Sequence, residues 1–162
     1  MMDSAKKIHM TKEGERQLKK ELKKLKTIDR KKIIKDIYEA RKHGDLKENA
    51  EYHSAIEQQC LLERRIKEIE NKIANAHVID ITKIYQNGKI IFGTTVTLVN
   101  LLYKKKIKYK IVGEDEANIK KKKISITSPI ARALIGKKRG DIVTVNTPGG
   151  VVKYEINLIE FL

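Results

Sequence analysis

The sequence predicts an α+β chain: an N-terminal antiparallel helical hairpin of coiled-coil type, then a small antiparallel sheet domain with one short helix. Three observations predict it. Apolar residues in the first half recur at steps of three and four. After His77 the period changes to short β-branched, partly alternating segments. Turn chemistry separates those segments, and only one helical pattern interrupts them. The expected domains are 1–77 and 78–162.

The first helix is expected from Thr11 to His43, a stretch with no Pro and with Gly14 as its only Gly. Its stripe runs Leu18, Leu22, Leu25, then Ile33, Ile37, Ala40, with Asp29 interrupting it. Thr11 suits an N-cap, and Glu13 and Glu15 suit the positive end of the helix dipole. Gly44 is the stop signal at C′. The second helix is expected from about Leu46 to about Ala76. Its stripe is Tyr52, Ala55, Gln59, Leu62, Ile66, Ile69, Ile73, Ala76, alternating steps of three and four without a break. Cys60 falls inside this pattern, where a small buried residue is the expectation. So short a connection forces the helices antiparallel and adjacent. At 1.5 Å per residue the hairpin reaches about 45–50 Å, a lever rather than a bundle.

The second half reads as strands at Val78–Ile81, Lys89–Phe92, Thr94–Leu101, Lys106–Val112, Lys123–Thr127, Asp141–Thr147 and Val151–Ile159. Asn87-Gly88 is a hairpin signal. Thr147-Pro148-Gly149-Gly150 suits a type II turn. The short helix has Ser128 as N-cap, Pro129 at its first position, Ile130–Ile135 as its body and Gly136 at C′. Lys104–Lys106 and Lys120–Lys123 read as solvated loops or edge-strand guards, and Glu114-Asp115-Glu116 as a solvated loop.

Charged residues make up 35% of the chain, which suits an elongated part with much surface. The net charge of +15 points to a polyanionic partner or an acidic protein surface. The basic residues are mostly Lys, and Ile and Asn are plentiful, a mixture that compositional drift also produces. A single cysteine excludes an intramolecular disulfide. No signal-like stretch and no run of 18 apolar residues occurs, so the expectation is a soluble cytoplasmic protein with no membrane partner. His9, His43, His53 and His77 share no metal-ligand spacing.

The segment richest in chemistry is Arg41-Lys42-His43-Gly44-Asp45-Leu46-Lys47-Glu48-Asn49-Ala50-Glu51-Tyr52, where the chain reverses. Asp45-x-x-Glu48 has the spacing of a capping box, and on helix chemistry alone it is an acidic N-cap. The same spacing puts two carboxylates on one helix face, where they can share a divalent cation. Mg²⁺ takes six oxygens and keeps several waters, so two carboxylates form an incomplete site that a partner completes. A residue can cap a helix and ligate a metal with different lone pairs, so both readings stand.

Gly44 through Tyr52 closely resembles the tip signature of the Gre transcript cleavage factors. Ser128-Pro129-Ile130-Ala131-Arg132-Ala133-Leu134-Ile135-Gly136, followed by Thr147-Pro148-Gly149-Gly150, resembles that family's second signature. The resemblance runs from roughly Thr11 to Leu162. It implies an FKBP-like fold for the second domain, which docks at the rim of the RNA polymerase secondary channel while the hairpin enters it. It implies a transcription elongation factor that stimulates the polymerase's own cleavage of the 3′ RNA and has no stand-alone catalysis. Asp45 and Glu48 match the residues that help hold a second Mg²⁺, shared with the polymerase and not bound stably by the chain alone. Gly44, Leu46, Asn49, Glu51 and Tyr52 match the tip's supporting residues. Arg41, Lys42 and Lys47 are the candidates for RNA contact, and Ser128, Pro129, Arg132, Pro148 and Gly149 for polymerase docking. The implied partners are core RNA polymerase and the nascent RNA 3′ end, with weak further contact to DNA or RNA. The family often has Arg before the Glu-Gln-Gln run of the second helix, where this chain has Ile56. A monomer is expected, because the seam is used internally.

Three rival readings make different demands on the sequence. A channel-docking regulator without cleavage would not need the intact Asp45 and Glu48. A prolyl isomerase needs an aromatic-lined pocket, and the second half has no Trp and few aromatic residues. A plain basic nucleic-acid binder predicts tight, steeply salt-dependent binding to free RNA or DNA.

Overall fold

A computed structural model describes residues 7–42, 49–84 and 86–162. One compact unit holds Glu15–Ala76, and the other joins Ile8–Gly14 to His77–Leu162. A single cut after His77 therefore misses a strand. Ile8–Thr11 forms β1, which pairs with β2 (Ala76–Ile79) in a two-stranded sheet. β2 starts and ends earlier than the expected Val78–Ile81, and Ile81 instead opens a 3₁₀ turn capped by the Asp80 side chain.

The helical unit begins as the sequence predicts. α1 (Lys12–Lys24) is capped by Thr11, whose Oγ1 accepts the Gly14 N–H at 3.1 Å. α2 (Arg30–Arg41) continues it, but Leu25–Asp29 between them is π-helical. That stretch explains the apparent weakness at Asp29. From Leu25 to Ile33 the stripe advances one position more than two turns of a seam require. A π turn absorbs one extra residue, so Leu18, Leu22 and Leu25 and then Ile33, Ile37 and Ala40 keep one face. No residue of the π stretch is buried, and Ile28 stands 61% exposed.

α3 (Ala50–Ala74) has no such interruption. Ala55, Leu62, Ile66 and Ile69 are buried along it, with Tyr52, Gln59 and Ile73 half-buried between them. Each fully buried Leu or Ile contributes roughly 1.5–3 kcal/mol. Cys60 is exposed, contrary to the expectation, because it lies one position past Gln59 and outside the seam. Ion pairs tie the helices across the seam: Arg65 to Glu21 at 2.9 and 3.1 Å, Arg30 to Glu63 at 2.9 Å and Lys26 to Glu70 at 2.5 Å.

The second unit is built on a five-stranded sheet of order β5-β4-β3-β7-β6, from β3 (Thr95–Asn100), β4 (Lys106–Val112), β5 (Lys123–Ser125), β6 (Ile142–Thr147) and β7 (Gly150–Glu160). It is mixed rather than antiparallel, because β5 runs parallel to β4. Residues 113–122 make this possible. Two 3₁₀ turns carry the chain back before it pairs again. α4 (Pro129–Leu134) has the expected Ser128 cap and a left-handed Gly136 beyond it. Its Ala131 and Leu134 are fully buried in a core with Ile90, Val96, Leu98, Ile111 and Ile156.

Two turn expectations are corrected. Asn87-Gly88 closes no hairpin, and Lys89–Phe92 is no strand. Ile90 exchanges backbone hydrogen bonds with Lys137 and Gly136, the segment leaving α4, each at 2.8 Å, so its partner lies far along the chain. In the Thr147–Gly150 hairpin the positive φ falls on Gly150 (118°), not on Gly149 as a type II turn requires. Among the described residues no helix is long and apolar enough to cross a membrane.

Candidate functional site

The chain leaves α2 at Lys42 and enters α3 at Asn49. Gly44, Asp45, Leu46, Lys47 and Glu48 lie outside the described residues, and so does the capping box assigned to Asp45 and Glu48. What the structure gives is the frame around them.

Asn49 organises that frame. Its backbone is extended, its Oδ1 accepts the Tyr52 N–H at 3.1 Å, and its Nδ2 donates to the Ala40 carbonyl at 2.6 Å. One side chain thus satisfies an orphan N–H at the start of α3 and donates to a carbonyl in the last turn of α2. α3 starts at Ala50 rather than near Leu46, because Asn49 takes the cap. Asn49 was anticipated as a supporting residue, but not as the bridge. The preference of Asn for N-cap positions was the available signal.

The other tip residues sort by charge. Arg41 and Lys42 are exposed at the carbonyl end of α2, where cations are favourable, and Glu51 is exposed in the first turn of α3, where an anion is. The Arg41 guanidinium sits 5.8 Å from the Tyr52 ring centroid, and Lys42 Nζ sits 4.4 Å from that of Tyr38. Tyr52 also meets His53 edge-on at 5.7 Å. A cleft of about 450 Å³ opens between the helices, lined by Asp36, Glu39, Ala40, Ala50, Glu51, Ser54, Ala55 and Gln58. The small residues hold the helices close, and the carboxylates leave this end of the pair acidic along one side. Among the described residues no three potential metal ligands cluster.

Away from the tip, the expected docking residues separate. β5 ends beside Val112, and Ser128-Pro129 follows at that end of the sheet. Pro148-Gly149 lies at the opposite end, beyond the point where Tyr154 pairs with Asn100. The Ser128 hydroxyl is taken by the Ala131 N–H, while Pro129 and Arg132 are exposed.

Sequence reasoning missed Glu116. Read as part of a solvated acidic loop, it ends a 3₁₀ turn and accepts the Thr11 N–H at 2.9 Å, the Gly113 N–H at 3.3 Å and the Thr11 hydroxyl. An acidic triple in a loop gives no signal of so distant a partner.

Comparison with known proteins adds the family. Residues 8–78 match the family described as transcription elongation factor, N-terminal, and residues 85–161 match transcription elongation factor, GreA/GreB, C-term. The transcription elongation factor GreA of Buchnera aphidicola subsp. Baizongia pistaciae is 58% identical over 154 residues, covering 95% of this chain and 97% of that one. Its counterpart from Francisella tularensis subsp. novicida is 56% identical over 154 residues, covering 95% and 96%. Among solved structures, GreA factor homolog 1 of Thermus thermophilus aligns over 96% of this chain and 99% of that one, at 24% identity and a TM-score of 0.42. On the two family matches and the near-full-length relatives, the chain belongs to the GreA/GreB family of transcription elongation factors.

Proposed function

We propose that the hairpin enters the secondary channel of RNA polymerase and stimulates the polymerase's own endonucleolytic cleavage of 3′ RNA in backtracked or arrested complexes, so that elongation resumes. The observation that carries this reading is the Asn49 bridge, which ties the two helices together on either side of the segment bearing Asp45 and Glu48.

Asp45 and Glu48 offer hard carboxylate oxygens, a donor set that fits Mg²⁺ but fills only part of its shell. The remaining ligands would come from polymerase carboxylates, RNA phosphate and water, so the ion is shared. Asp45 and Glu48 would help hold such an ion, and the chemistry it would supply is activation of water for attack on a phosphodiester. The chain's own residues do the rest. Asn49 fixes the ends of α2 and α3. Arg41, Lys42 and Lys47 offer cations to the phosphates of the extruded RNA. Tyr52 presents its ring to the Arg41 guanidinium. The exposed Pro129 and Arg132 on α4 are the docking candidates of the second unit, and Pro148-Gly149 would need a separate contact. The chain acts as a monomeric cofactor, with weak contact to free nucleic acid.

Asp45→Asn and Glu48→Gln test this reading. Both are near-isosteric and keep hydrogen-bonding capacity. Each variant is expected to fold, bind polymerase and lose stimulated cleavage of a stalled transcript by about tenfold or more. Full activity in both would show the metal role to be wrong.

A further inference from the structure

We infer that His9 and His77 form a two-imidazole binding site for a divalent transition-metal ion of the Zn²⁺ class, which fastens β1 to β2. The proposed function calls on neither residue.

Strand pairing brings the two side chains together. His9 lies in β1 and His77 in β2, the two strands of the small sheet, and both belong to the second unit. They are far apart in the chain, so a ligand spacing is invisible in the sequence and arises only from the fold. Residues facing one another on a strand pair have Cβ atoms about 4.5–5.5 Å apart, close enough for two imidazoles to reach one ion. The ring centroids of His9 and His77 stand 5.4 Å apart, with their planes at 82°. Two imidazoles on one Zn²⁺, each at about 2.1 Å and at a tetrahedral angle, have centroids roughly 5 Å apart. A ring can turn about its metal–nitrogen bond, so the steep angle between the planes is no obstacle.

The chemistry of the pair selects the ion. Both side chains are exposed, so water can complete the ion's shell. Among the described residues neither imidazole takes part in a hydrogen bond or an ion pair, so no partner has to be displaced. The Phe92 ring lies 5.9 Å from that of His9 and offers no competing donor atom. Imidazole suits Zn²⁺, Cu²⁺ and Ni²⁺, whereas Mg²⁺ prefers oxygen. The pair therefore differs in class from the carboxylates of Asp45 and Glu48. Two protein ligands make an open, exchangeable site, unlike the closed four-ligand site of a structural zinc.

An ion here has something to hold. β1 is four residues long, and its strand partner is β2. A two-stranded sheet is marginal by itself. Glu116 ties β1 at Thr11, and an ion adds a second tie at His9. Bound across the strands, it favours the paired state over the open one by mass action.

Long-range ¹H–¹⁵N spectra of the full chain follow the imidazole nitrogens as Zn²⁺ is added, with Cys60→Ser in every sample to remove the single thiol. The His9 and His77 signals are expected to move together and to saturate at one ion per chain, with His53 responding only at about tenfold higher Zn²⁺ or more. His77→Gln should raise the Zn²⁺ needed for the His9 response about tenfold or more, and His9→Gln should do the same for His77, because the chelate is lost. Zn²⁺ should also slow amide exchange in β1 and β2 when both histidines are present, and in neither variant. Mg²⁺ at the same concentrations should move neither signal. Separate response curves for His9 and His77, or a His9 curve unchanged by His77→Gln, would overturn the inference. Should a variant misfold, the two response curves of the chain with both histidines decide by themselves.

Discussion

Asn49 and Ala40 are joined across the hairpin tip by a 2.6 Å hydrogen bond from a side-chain amide to a backbone carbonyl, and the same amide's oxygen caps α3. Asn49→Ala removes both interactions. It should cost about 1–2 kcal/mol, the usual range for a lost cap with one further hydrogen bond. Asn49→Asp keeps the cap but replaces the donor with a second oxygen facing the Ala40 carbonyl, so it should recover only part of the loss. Thermal melts followed by circular dichroism at 222 nm check the order Asn, Asp, Ala.

The π turn makes an unusual prediction about length. Deleting Ile28 removes the extra residue, so that an unbroken α-helix would carry Leu18, Leu22 and Leu25 on the same face as Ile33, Ile37 and Ala40. The variant should keep its helicity and melt no lower than the parent. Deleting Lys35 instead turns Ile37 and Ala40 about 100° off the seam and should lower the melting temperature of the hairpin clearly. Paired melts of the two deletions separate these outcomes.

Core truncations should show where each unit keeps its stability. Ile69 in α3 and Ile111 in β4 are both fully buried. Ile69→Ala and Ile111→Ala should each cost about 2–5 kcal/mol. The first should reduce protection of helical amides, and the second that of amides in β3, β4 and β5. Hydrogen exchange resolves the two units where a single melting temperature would not.

Acid should loosen two surface contacts. The Arg65 guanidinium, with help from Lys72, holds the Glu68 carboxyl below its ordinary 4.5. The Thr82 hydroxyl, with Lys12 among the weaker causes, holds Asp80 below its ordinary 3.8. A depressed folded-state pKa means stability that is present above the unfolded value and lost as pH falls through the folded one. Both contributions should therefore be intact at pH 5 and above and disappear below the ordinary values. Glu68 is exposed and Asp80 is half-buried at the surface, so the effect should be small and reduced by salt. Melts of Glu68→Gln and the parent between pH 5 and pH 2.5 should converge at the acid end.

The parts of this fold that the sequence disclosed are those whose signal is local. The α3 seam was readable because its period never breaks, and α4 because Ser128, Pro129 and Gly136 mark both its ends. The α1–α2 seam looked weak because one inserted residue mimics a loss of amphipathicity. Cys60 was misplaced by one position, which on a helix is enough to turn a side chain out of the seam. β1 is four residues long and its partner lies some sixty-five residues away, so nothing near it reports pairing. The parallel run of β5 depends on how residues 113–122 fold back, which alternation does not encode. At the candidate site the residue types were legible. The use of Asn49 as a bridge and of Glu116 as an acceptor for Thr11 emerged only when distant segments were brought together.

The Mg²⁺ dependence of stimulated cleavage in stalled polymerase complexes, compared between the parent chain and Asp45→Asn at saturating factor, tests the central claim most directly. The account predicts that the half-saturating Mg²⁺ concentration rises about tenfold or more in the variant, with its affinity for polymerase unchanged. An identical Mg²⁺ dependence in the two proteins would contradict it.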